Sequence, residues 1–347
     1  MRITSTTFLA GGLAAANLLP RQDTSNIPRP PLGDIPYGTN VASCTLPGKL
    51  ALTFDDGPDI YTADLLDTLK KNNAKATFFI VGDNGRWQRK NTGDPTGPYP
   101  ALLKRMHAEG HQIGSHSWSH ANFTALSPQG RREELLKLES VFASVLGFIP
   151  TYFRPPYTSY DDATNKELKV MGYHNVNFDL DTEDYKGNFE KSRGFVTSSF
   201  AAGNSRKKSS FITLLHDIHE KSVSEFVPWV LDEAKKSGYE FVTVGECLGD
   251  PSNYWYRDAV TGQAWSGEPL VEPKKQDTTS VGSSGSSSSS SVTVDLQTTT
   301  FTSATVTSTT TPKPAQAAAT SPASRSGSLV SGMAALLCAA AVVFAFL

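Results

Sequence analysis

Residues 49–58 read KLALTFDDGP, and the fold prediction starts from this stretch. Its first six residues have the composition of a buried β-strand, and Asp55 and Asp56 follow that strand at once. Because successive side chains of an extended chain point in opposite directions, one carboxylate can bind a metal ion while the other faces a substrate or water. Taken alone, Asp-Asp-Gly-Pro is also ordinary turn chemistry, so its meaning depends on the surrounding sequence.

Short apolar runs alternate with helical patterns along the rest of this region. Further strands are predicted at residues 76–81, 111–115, 152–153, 174–178, 211–215 and 239–244, and helices at residues 61–72, 99–109, 128–146 and 223–236. This alternation indicates parallel βαβ units in an α/β fold, most simply a (β/α) barrel. In such barrels the reactive side chains lie on the loops that follow the strands.

Two histidines, His116 and His120, follow the strand predicted at residues 111–115. With spacing i and i+4, they would share one face of a helical turn and could bind one metal ion together. Such a pair is more often incidental when it stands alone. A carboxylate from another strand end would complete a two-histidine, one-aspartate site with open positions for water and substrate.

The loop at residues 154–157 reads RPPY and follows another predicted strand. Its two prolines restrict the backbone, so the loop could hold Arg154 against a carboxylate. It could also present the backbone N–H of Tyr157 as a donor to an oxyanion. A simple turn at the end of a strand is the alternative interpretation.

Two more polar clusters are residues 181–185 (DTEDY) and residues 214–217 (LLHD). His216 is a candidate proton donor, and Asp184 could hold its tautomer and raise its pKa. Considered singly, His216 is as well explained by a structural role.

Together and in this order, the five clusters resemble the motifs of the polysaccharide deacetylases, the NodB-homology domain of carbohydrate esterase family 4. The resemblance covers residues 37–250 and implies a distorted (β/α) barrel with catalytic function. Among the members of this family, the chain most resembles the fungal chitin deacetylases that carry a GPI anchor.

The resemblance implies a role for each matching residue. Asp55 corresponds to the catalytic base and His216 to the catalytic acid. Asp56, His116 and His120 correspond to the ligands of a divalent metal ion, for which Zn²⁺ is expected and Co²⁺ and Mn²⁺ are alternatives.

Five other positions are implied to orient, tune or line the site. Arg154 corresponds to the residue that orients the base, and Tyr157 to the residue whose backbone amide stabilises the oxyanion. Asp184 corresponds to the carboxylate that tunes the acid, and Leu214 lines the pocket for the acetyl methyl group. Tyr185 departs from the family pattern, which commonly has Trp there, so we expect altered fit or rate but not loss of activity.

The implied reaction is metal-dependent hydrolysis of the N-acetyl groups of chitin, which gives chitosan and acetate. An acetylxylan esterase or a deacetylase of another N-acetylglucosamine polymer is an alternative, because the motifs recognise the acetyl group and not the polysaccharide that carries it. A wall-bound chitin-binding protein that keeps the barrel as a scaffold is less well supported, as is a hydrolase of small amides. The 32 basic and 34 acidic residues argue against a nucleic-acid partner. We expect a monomer.

The two ends of the sequence predict a secreted, membrane-anchored protein. Residues 1–16, or up to about residue 21 if a short pro-segment is present, resemble a signal peptide. In residues 278–328, 28 of 51 residues are Ser or Thr, which predicts an unfolded stalk with the GPI attachment residue near its end. Residues 329–347 are apolar and uncharged and predict the GPI tail that is removed, with a tail anchor or single span as the alternative. The expected location is the plasma membrane, the cell wall or both.

Four further expectations concern covalent links, the C-terminal extension and aromatic residues. Cys44 and Cys247 lie at the two ends of the predicted domain and are expected to form a disulfide in an oxidising compartment, with two free thiols as the alternative. Asn122 begins the glycosylation sequon Asn-Phe-Thr. Residues 251–277 form an extension that is expected to pack on the barrel. Four aromatic residues could stack on sugars, although a place in the core is the favoured interpretation for most of them: Trp87, Tyr99, Trp118 and Tyr160.

Overall fold

The computed structural model of the protein describes residues 22–83, 91–205 and 209–267. The predicted signal peptide, stalk and GPI tail lie outside these residues, as do Trp87 and the end of the predicted extension. None of the helices in the described ranges is long and apolar enough to cross a membrane.

A mainly parallel β-sheet forms the centre of the described part, with helices packed against it. The strands are β1 (Asn40–Val41), β2 (Lys49–Ala51), β3 (Thr53–Asp55), β4 (Thr77–Ile80), β5 (Gln112–Ser115), β6 (Phe148–Pro150), β7 (Tyr152–Phe153), β8 (His174–Val176), β9 (Leu180–Asp181), β10 (Phe211–His216), β11 (Glu240–Val242) and β12 (Tyr256–Asp258). The α-helices are α1 (Thr62–Lys71), α2 (Tyr99–Ala108), α3 (Pro128–Leu146), α4 (Asp162–Met171), α5 (Phe189–Ser205), α6 (Val227–Lys236) and α7 (Val244–Leu248).

The strand order is β1-β8-β7-β5-β4-β3-β10-β2-β11, and β9 also pairs with β10. Neighbours along this order are parallel, so their carboxyl ends meet at one edge, as the predicted distorted (β/α) barrel requires. In the register of β10 and β3, His216 stands beside Asp55. Pairing alone therefore brings the last predicted motif next to the first.

The expected disulfide between Cys44 and Cys247 is present, with an S–S distance of 2.09 Å. It links the chain just after β1 to helix α7, which follows β11, so it connects the two ends of the strand order. The backbone N–H groups of Thr45 and Leu46 both donate to the carbonyl of Cys247, each at 3.1 Å. This covalent and hydrogen-bonded link holds the first and last parts of the sheet together.

Helix α3 agrees in both bounds with the prediction from its apolar spacing. It begins after Ser127, whose hydroxyl accepts a hydrogen bond from the backbone N–H of Gly130. It ends at Gly147, which has a φ of 80° that an L-residue with a side chain rarely adopts. Leu135, Leu138 and other apolar residues of its inner face are buried in the core.

The sequence patterns did not predict helices α4 and α5. Both have sparse apolar residues among polar ones, and α5 contains Gly194 together with several Ser and Thr residues that are weak helix formers. The helix predicted at residues 223–236 begins with a π-helical turn, Ser222–Phe226, which continues into α6. The strand predicted to end at residue 244 stops at Val242, because the Thr243 side chain caps α7.

Segments on both sides of residues 37–250 pack against the barrel. Arg29 forms a buried ion pair of 2.7 Å with Glu139 on α3. Strand β12 of the extension pairs with β6, and the Tyr256 hydroxyl accepts a 2.9 Å hydrogen bond from the Ile113 backbone N–H. The two segments also meet each other, because Arg257 donates to the Pro30 carbonyl at 2.6 Å. The described part of the extension is therefore built into the fold, as expected.

Candidate active site

A cleft of about 720 Å³ opens at the carboxyl ends of the strands. All five sequence motifs contribute to its walls, although they are spread over nearly half of the chain. The predicted site residues that line it are Asp55, Asp56, His116, His120, Arg154, Tyr157, Tyr185, Leu214 and His216. Asp184, which is buried, lies behind His216 and contacts it directly.

Asp56, His116 and His120 bring one ligand-type atom each to within 4.8 Å of one another. Asp56 Oδ1 lies 3.4 Å from His116 Nε2 and 3.1 Å from His120 Nε2. Among the described residues none donates a hydrogen bond of acceptable geometry to this buried oxygen. A carboxylate oxygen and two imidazole nitrogens that converge without bonding to one another suit a divalent metal ion, so the residues present fit such an ion.

The tautomer of His116 is set by a backbone group of another strand end. Its Nδ1 lies 2.7 Å from the carbonyl oxygen of Arg154. Because a carbonyl only accepts hydrogen bonds, Nδ1 carries the proton, and Nε2 presents its lone pair towards Asp56. This orientation is the one that metal-binding histidines commonly have, with the second nitrogen held by an acceptor.

The interpretation of His116 and His120 as one face of a helical turn is wrong. Neither residue lies in a helix, and Ser117 and His120 have φ values of 71° and 56°. The side chains converge because the loop after β5 folds back through these left-handed residues, not because of a 3.6-residue period. The spacing still selected two histidines whose side chains converge with Asp56.

Asp55 is buried and held by Arg154, whose guanidinium Nη1 donates a 2.8 Å hydrogen bond to Asp55 Oδ1. Burial lowers the pKa of Arg154, but the Asp55 carboxylate counteracts this, and the group stays charged. Arg154 also donates to the backbone carbonyl of Asn177 at 3.0 Å, and its guanidinium lies 4.3 Å from the ring centre of Phe79. Asp55 therefore faces the cleft beside a cation that cannot give up its proton.

Asp184 holds His216 through two hydrogen bonds. Its Oδ2 accepts the backbone N–H of His216, and its Oδ1 accepts the ring Nδ1–H, both at 2.9 Å. Burial lowers the pKa of His216, but the charge and hydrogen bond of Asp184 outweigh it and raise the pKa to about 9. With Nδ1 engaged, Nε2 is the nitrogen available to a substrate, and it is protonated at neutral pH.

Non-glycine residues with positive φ concentrate at this site. Of the seven in the described ranges, six lie in the cleft or beside its functional residues: Asp56, Ser117, His120, Tyr157, Thr158 and Glu183. Such conformations cost about 1–3 kcal/mol each and persist where the surrounding structure imposes them. The backbone strain is therefore concentrated at the cleft, where side chains must be held in particular orientations.

The comparisons with known proteins point the same way as this geometry. Residues 42–176 match the family model described as polysaccharide deacetylase. The chain is 38% identical to a chitin deacetylase of Pestalotiopsis sp over 278 residues. This alignment covers 80% of this chain and 86% of that protein. The chain belongs to the polysaccharide deacetylase family. It is thus an enzyme of a hydrolase family that acts on amides.

Two further similarities support the family and fold of this polysaccharide deacetylase. It is 37% identical over 255 residues to the chitin deacetylase of Colletotrichum lindemuthianum, over 73% of this chain and 96% of that protein. The solved structure of a chitin deacetylase from that fungus has a TM-score of 0.61 and 38% identity, and covers 65% of this chain and 97% of that one. A peptidoglycan N-acetylglucosamine deacetylase structure has a TM-score of 0.51 at 29% identity.

Exposed aromatic rings of the deacetylase lie at the cleft, but they are not those proposed for sugar stacking. Tyr99 and Trp118 are buried, which agrees with the core role expected for most of these aromatic residues and excludes sugar stacking for both. Tyr157 is 67% exposed, and its ring lies 4.5 Å from that of His120. Tyr185 is 43% exposed, stands edge-on to His216, and donates a 3.4 Å hydrogen bond to Asp181. A pattern for burial could not have identified them, because they follow strands as loop residues.

Several residues of the site were missed by the sequence analysis of the deacetylase. Thr53 accepts a 2.5 Å hydrogen bond from Arg154, and its position two residues before Asp55 on a strand was the available signal. His219 lines the cleft beside His216, and burial together with the His216 charge lowers its pKa. Asp217 is fully buried, and desolvation raises its pKa to about 7.

Asn122, the predicted glycosylation site, is exposed and lies two residues after His120 in the chain. Its side-chain oxygen accepts hydrogen bonds from the Thr124 backbone N–H at 3.1 Å and from the Ser159 hydroxyl at 2.6 Å. Its exposure is compatible with the prediction, which stays a prediction.

Proposed function

We propose that this polysaccharide deacetylase hydrolyses the N-acetyl groups of N-acetylglucosamine units in chitin, producing glucosamine units and acetate. The observation that carries the proposal is the convergence of three elements on one cleft. These are a three-residue metal-binding set, a carboxylate held by Arg154, and a protonated histidine held by Asp184. The choice of chitin is supported by the similarity to fungal chitin deacetylases.

Asp56, His116 and His120 would hold the divalent ion, for which we propose Zn²⁺. When bound there, the ion would act as a Lewis acid towards the acetamide carbonyl and lower the pKa of water in the cleft. His116 is already in the required tautomer because Arg154 accepts its Nδ1–H. The two nitrogen ligands and one oxygen ligand leave positions open, as a catalytic site needs.

Asp55 acts as the general base. Arg154 holds its Oδ1, which leaves the second carboxylate oxygen to accept a proton from the attacking water. The water oxygen then forms a bond to the carbonyl carbon. Arg154 does not compete for this proton, because a guanidinium is always protonated.

The backbone amide of Tyr157 donates to the oxyanion that develops on the former carbonyl oxygen. Tyr157 has a φ of 59°, so the loop that carries this amide is in a conformation imposed by its surroundings. Leu214, which is largely buried in the wall of the cleft, packs against the acetyl methyl group.

His216 acts as the general acid. Its Nε2 donates a proton to the amide nitrogen as the carbon–nitrogen bond breaks, so that acetic acid and a free amine leave, and the acid then releases its proton to solvent as acetate. Asp184 keeps the ring in place and stabilises the imidazolium. Asp55 gains one proton and His216 loses one, so exchange with solvent restores both groups for the next cycle.

We also propose that the enzyme is a secreted monomer with a GPI anchor at the plasma membrane or cell wall. The support is the composition of residues 1–16, 278–328 and 329–347, together with a disulfide, which oxidising compartments favour. Residues 37–250 carry the catalytic domain in this proposal, and Asn122 carries a glycan.

The test is acetate release by the secreted protein loaded with Zn²⁺, from N-acetylglucosamine oligomers and from acetylxylan. We expect release from the oligomers, loss of that release after chelation, and recovery when Zn²⁺ is returned. Release from acetylxylan alone would replace the proposal with the esterase alternative. Absence of release from both substrates, with metal binding intact, would favour a carbohydrate-binding protein.

A further inference from the structure

Asp217 is a fully buried carboxyl group with no part in the reaction described above. It directly follows His216 at the end of β10. Its Oδ2 accepts a 2.6 Å hydrogen bond from the hydroxyl of Thr62, the first residue of α1. The Thr62 hydroxyl in turn accepts the backbone N–H of Asp59 at 2.8 Å. A chain of hydrogen bonds thus connects the end of β10 to the loop that follows β3.

The Asp217 carboxylate also rests directly against Gly57, the residue after Asp56. A Cβ atom placed on Gly57 would lie 2.1 Å from Asp217 Oδ2 and 2.3 Å from Oδ1, which no real side chain tolerates. Glycine is therefore required there so that the carboxylate can approach the backbone. On its other side, the Gly57 carbonyl accepts the Val81 backbone N–H at 2.9 Å.

This contact lies where strand pairing no longer controls the backbone. The register of β10 and β3 brings His216 beside Asp55, but the pairing ends there. Asp56 follows with a φ of 74°, outside the strand, and its side chain must still reach His116 and His120. Something beyond the sheet must therefore hold the backbone of residues 56 and 57.

We propose that Asp217 is a positioning residue that holds the Asp56–Gly57 backbone against the end of β10, and so sets the placement of Asp56 and Asp55 relative to His216. It acts through Gly57 and Thr62 and touches neither substrate nor metal ion. The roles of Asp55 and His216 in this inference rest on the proposed function. The effect on Asp56 does not, because it concerns the geometry of the metal-binding set alone.

The test compares variants of the full secreted protein by three measurements: thermal stability, binding of Co²⁺ by calorimetry and absorption spectroscopy, and kinetics of acetate release from N-acetylglucosamine oligomers. For Asp217→Ala we expect kcat to fall about 30-fold with little change in KM, and Co²⁺ affinity to fall about 10-fold, the range seen when groups behind metal ligands are removed. The absorption spectrum of bound Co²⁺ should change, because the placement of Asp56 changes.

Two conservative substitutions of Thr62 test the hydrogen bond from the Thr62 hydroxyl to Asp217. Thr62→Val removes the hydroxyl and should reproduce part of the loss in kcat and Co²⁺ affinity. The double variant with Thr62→Val and Asp217→Ala should lose no more than Asp217→Ala alone. Thr62→Ser keeps the hydroxyl and should retain the wild-type values. Asp217→Asn keeps an acceptor for the Thr62 hydroxyl, so its kcat and Co²⁺ affinity should lie between those of the wild type and Asp217→Ala. This variant also provides the test if Asp217→Ala does not fold.

Glu139→Gln is the matched control for loss of a buried carboxylate. Glu139 is also fully buried, and it accepts hydrogen bonds from Arg29 at 2.8 Å and from the Tyr173 hydroxyl at 2.8 Å, away from the cleft. We expect it to lower thermal stability while leaving kcat and Co²⁺ affinity near wild type.

The inference is overturned if Asp217→Ala changes kcat and Co²⁺ affinity no more than Glu139→Gln does at temperatures where both are folded. If the wild type releases no acetate, the proposed function fails, and Co²⁺ affinity and spectrum still decide the role of Asp217.

Discussion

Two buried ion pairs line the same cleft, and they differ in which partner can release a proton. In Asp55–Arg154 the cation is a guanidinium, which stays protonated, so only the carboxylate is left to accept a proton. In Asp184–His216 the cation is an imidazolium, and the carboxylate raises the pKa of the ring to about 9. In the mechanism that we propose, one arrangement, a carboxylate beside a cation, thus provides a base in one place and an acid in another.

The residues around each ion pair reinforce the difference between the two pairs. Arg154 is held by carbonyl groups and by the face of Phe79, contacts that leave Asp55 turned towards the cleft. Asp184 accepts both the backbone N–H and the ring N–H of His216, so it is occupied by its own histidine. Each pair therefore exposes to the substrate the member that has to exchange a proton.

The largest effect is expected for Asp55→Asn, which keeps the shape of the side chain and removes the base. Loss of general base catalysis lowers the rate by about 10²–10⁴-fold, so we expect kcat for acetate release to fall about 1,000-fold. Co²⁺ affinity should stay near wild type, because Asp56, His116 and His120 are unchanged. Acetate release within tenfold of wild type would show that another group acts as the base.

Asp184→Asn tests the acid pair through its pH dependence. His216 must be protonated to donate, so activity of the wild type should decline as the pH rises through about 9. Removing the Asp184 charge lowers the pKa of His216, and the decline should move to lower pH, with about 100-fold lower kcat at pH 8. The profile of kcat against pH for both proteins provides the measurement. An unshifted decline would assign it to a group other than His216.

Tyr185→Trp tests the ring that stands edge-on to His216. A larger ring without the hydroxyl would lose the hydrogen bond to Asp181 and gain contact area, so we expect a two- to tenfold change in kcat/KM, in line with about 0.5–1.5 kcal/mol for an aromatic contact. Tyr185→Phe, which removes only the hydroxyl, separates the two causes. Equal values for all three proteins would exclude Tyr185 from substrate contact.

The Cys44→Ala/Cys247→Ala variant should leave catalysis unchanged while it lowers stability. The disulfide closes a loop across a separation of 203 residues, so its loss should lower the free energy of unfolding by about 4–5 kcal/mol. Urea unfolding measures that change, and kinetics at 25 °C should show the wild-type kcat for the folded fraction. A large fall in kcat would mean that the ends of the sheet influence the two ion pairs.

The sequence identified the residues of the site because its motifs follow strands, and parallel strands bring their carboxyl ends together. It was less successful with local conformation. His116 and His120 were chosen for a helical spacing that the chain does not have, and helices α4 and α5 were missed because their apolar residues are sparse. Such segments are stabilised by tertiary packing, which a local pattern does not contain.

By itself, the sequence determined the alternation of strands and helices, the five polar clusters and the cysteines available for pairing. Only the tertiary structure decided the proton position on His116, the pairing of Asp55 with Arg154 and the raised pKa of His216. It also brought Asp217 against Gly57. The physical reason is distance: proton positions and pKa values depend on atoms about 3 Å away, and those atoms come from parts of the chain that meet only when the sheet has formed.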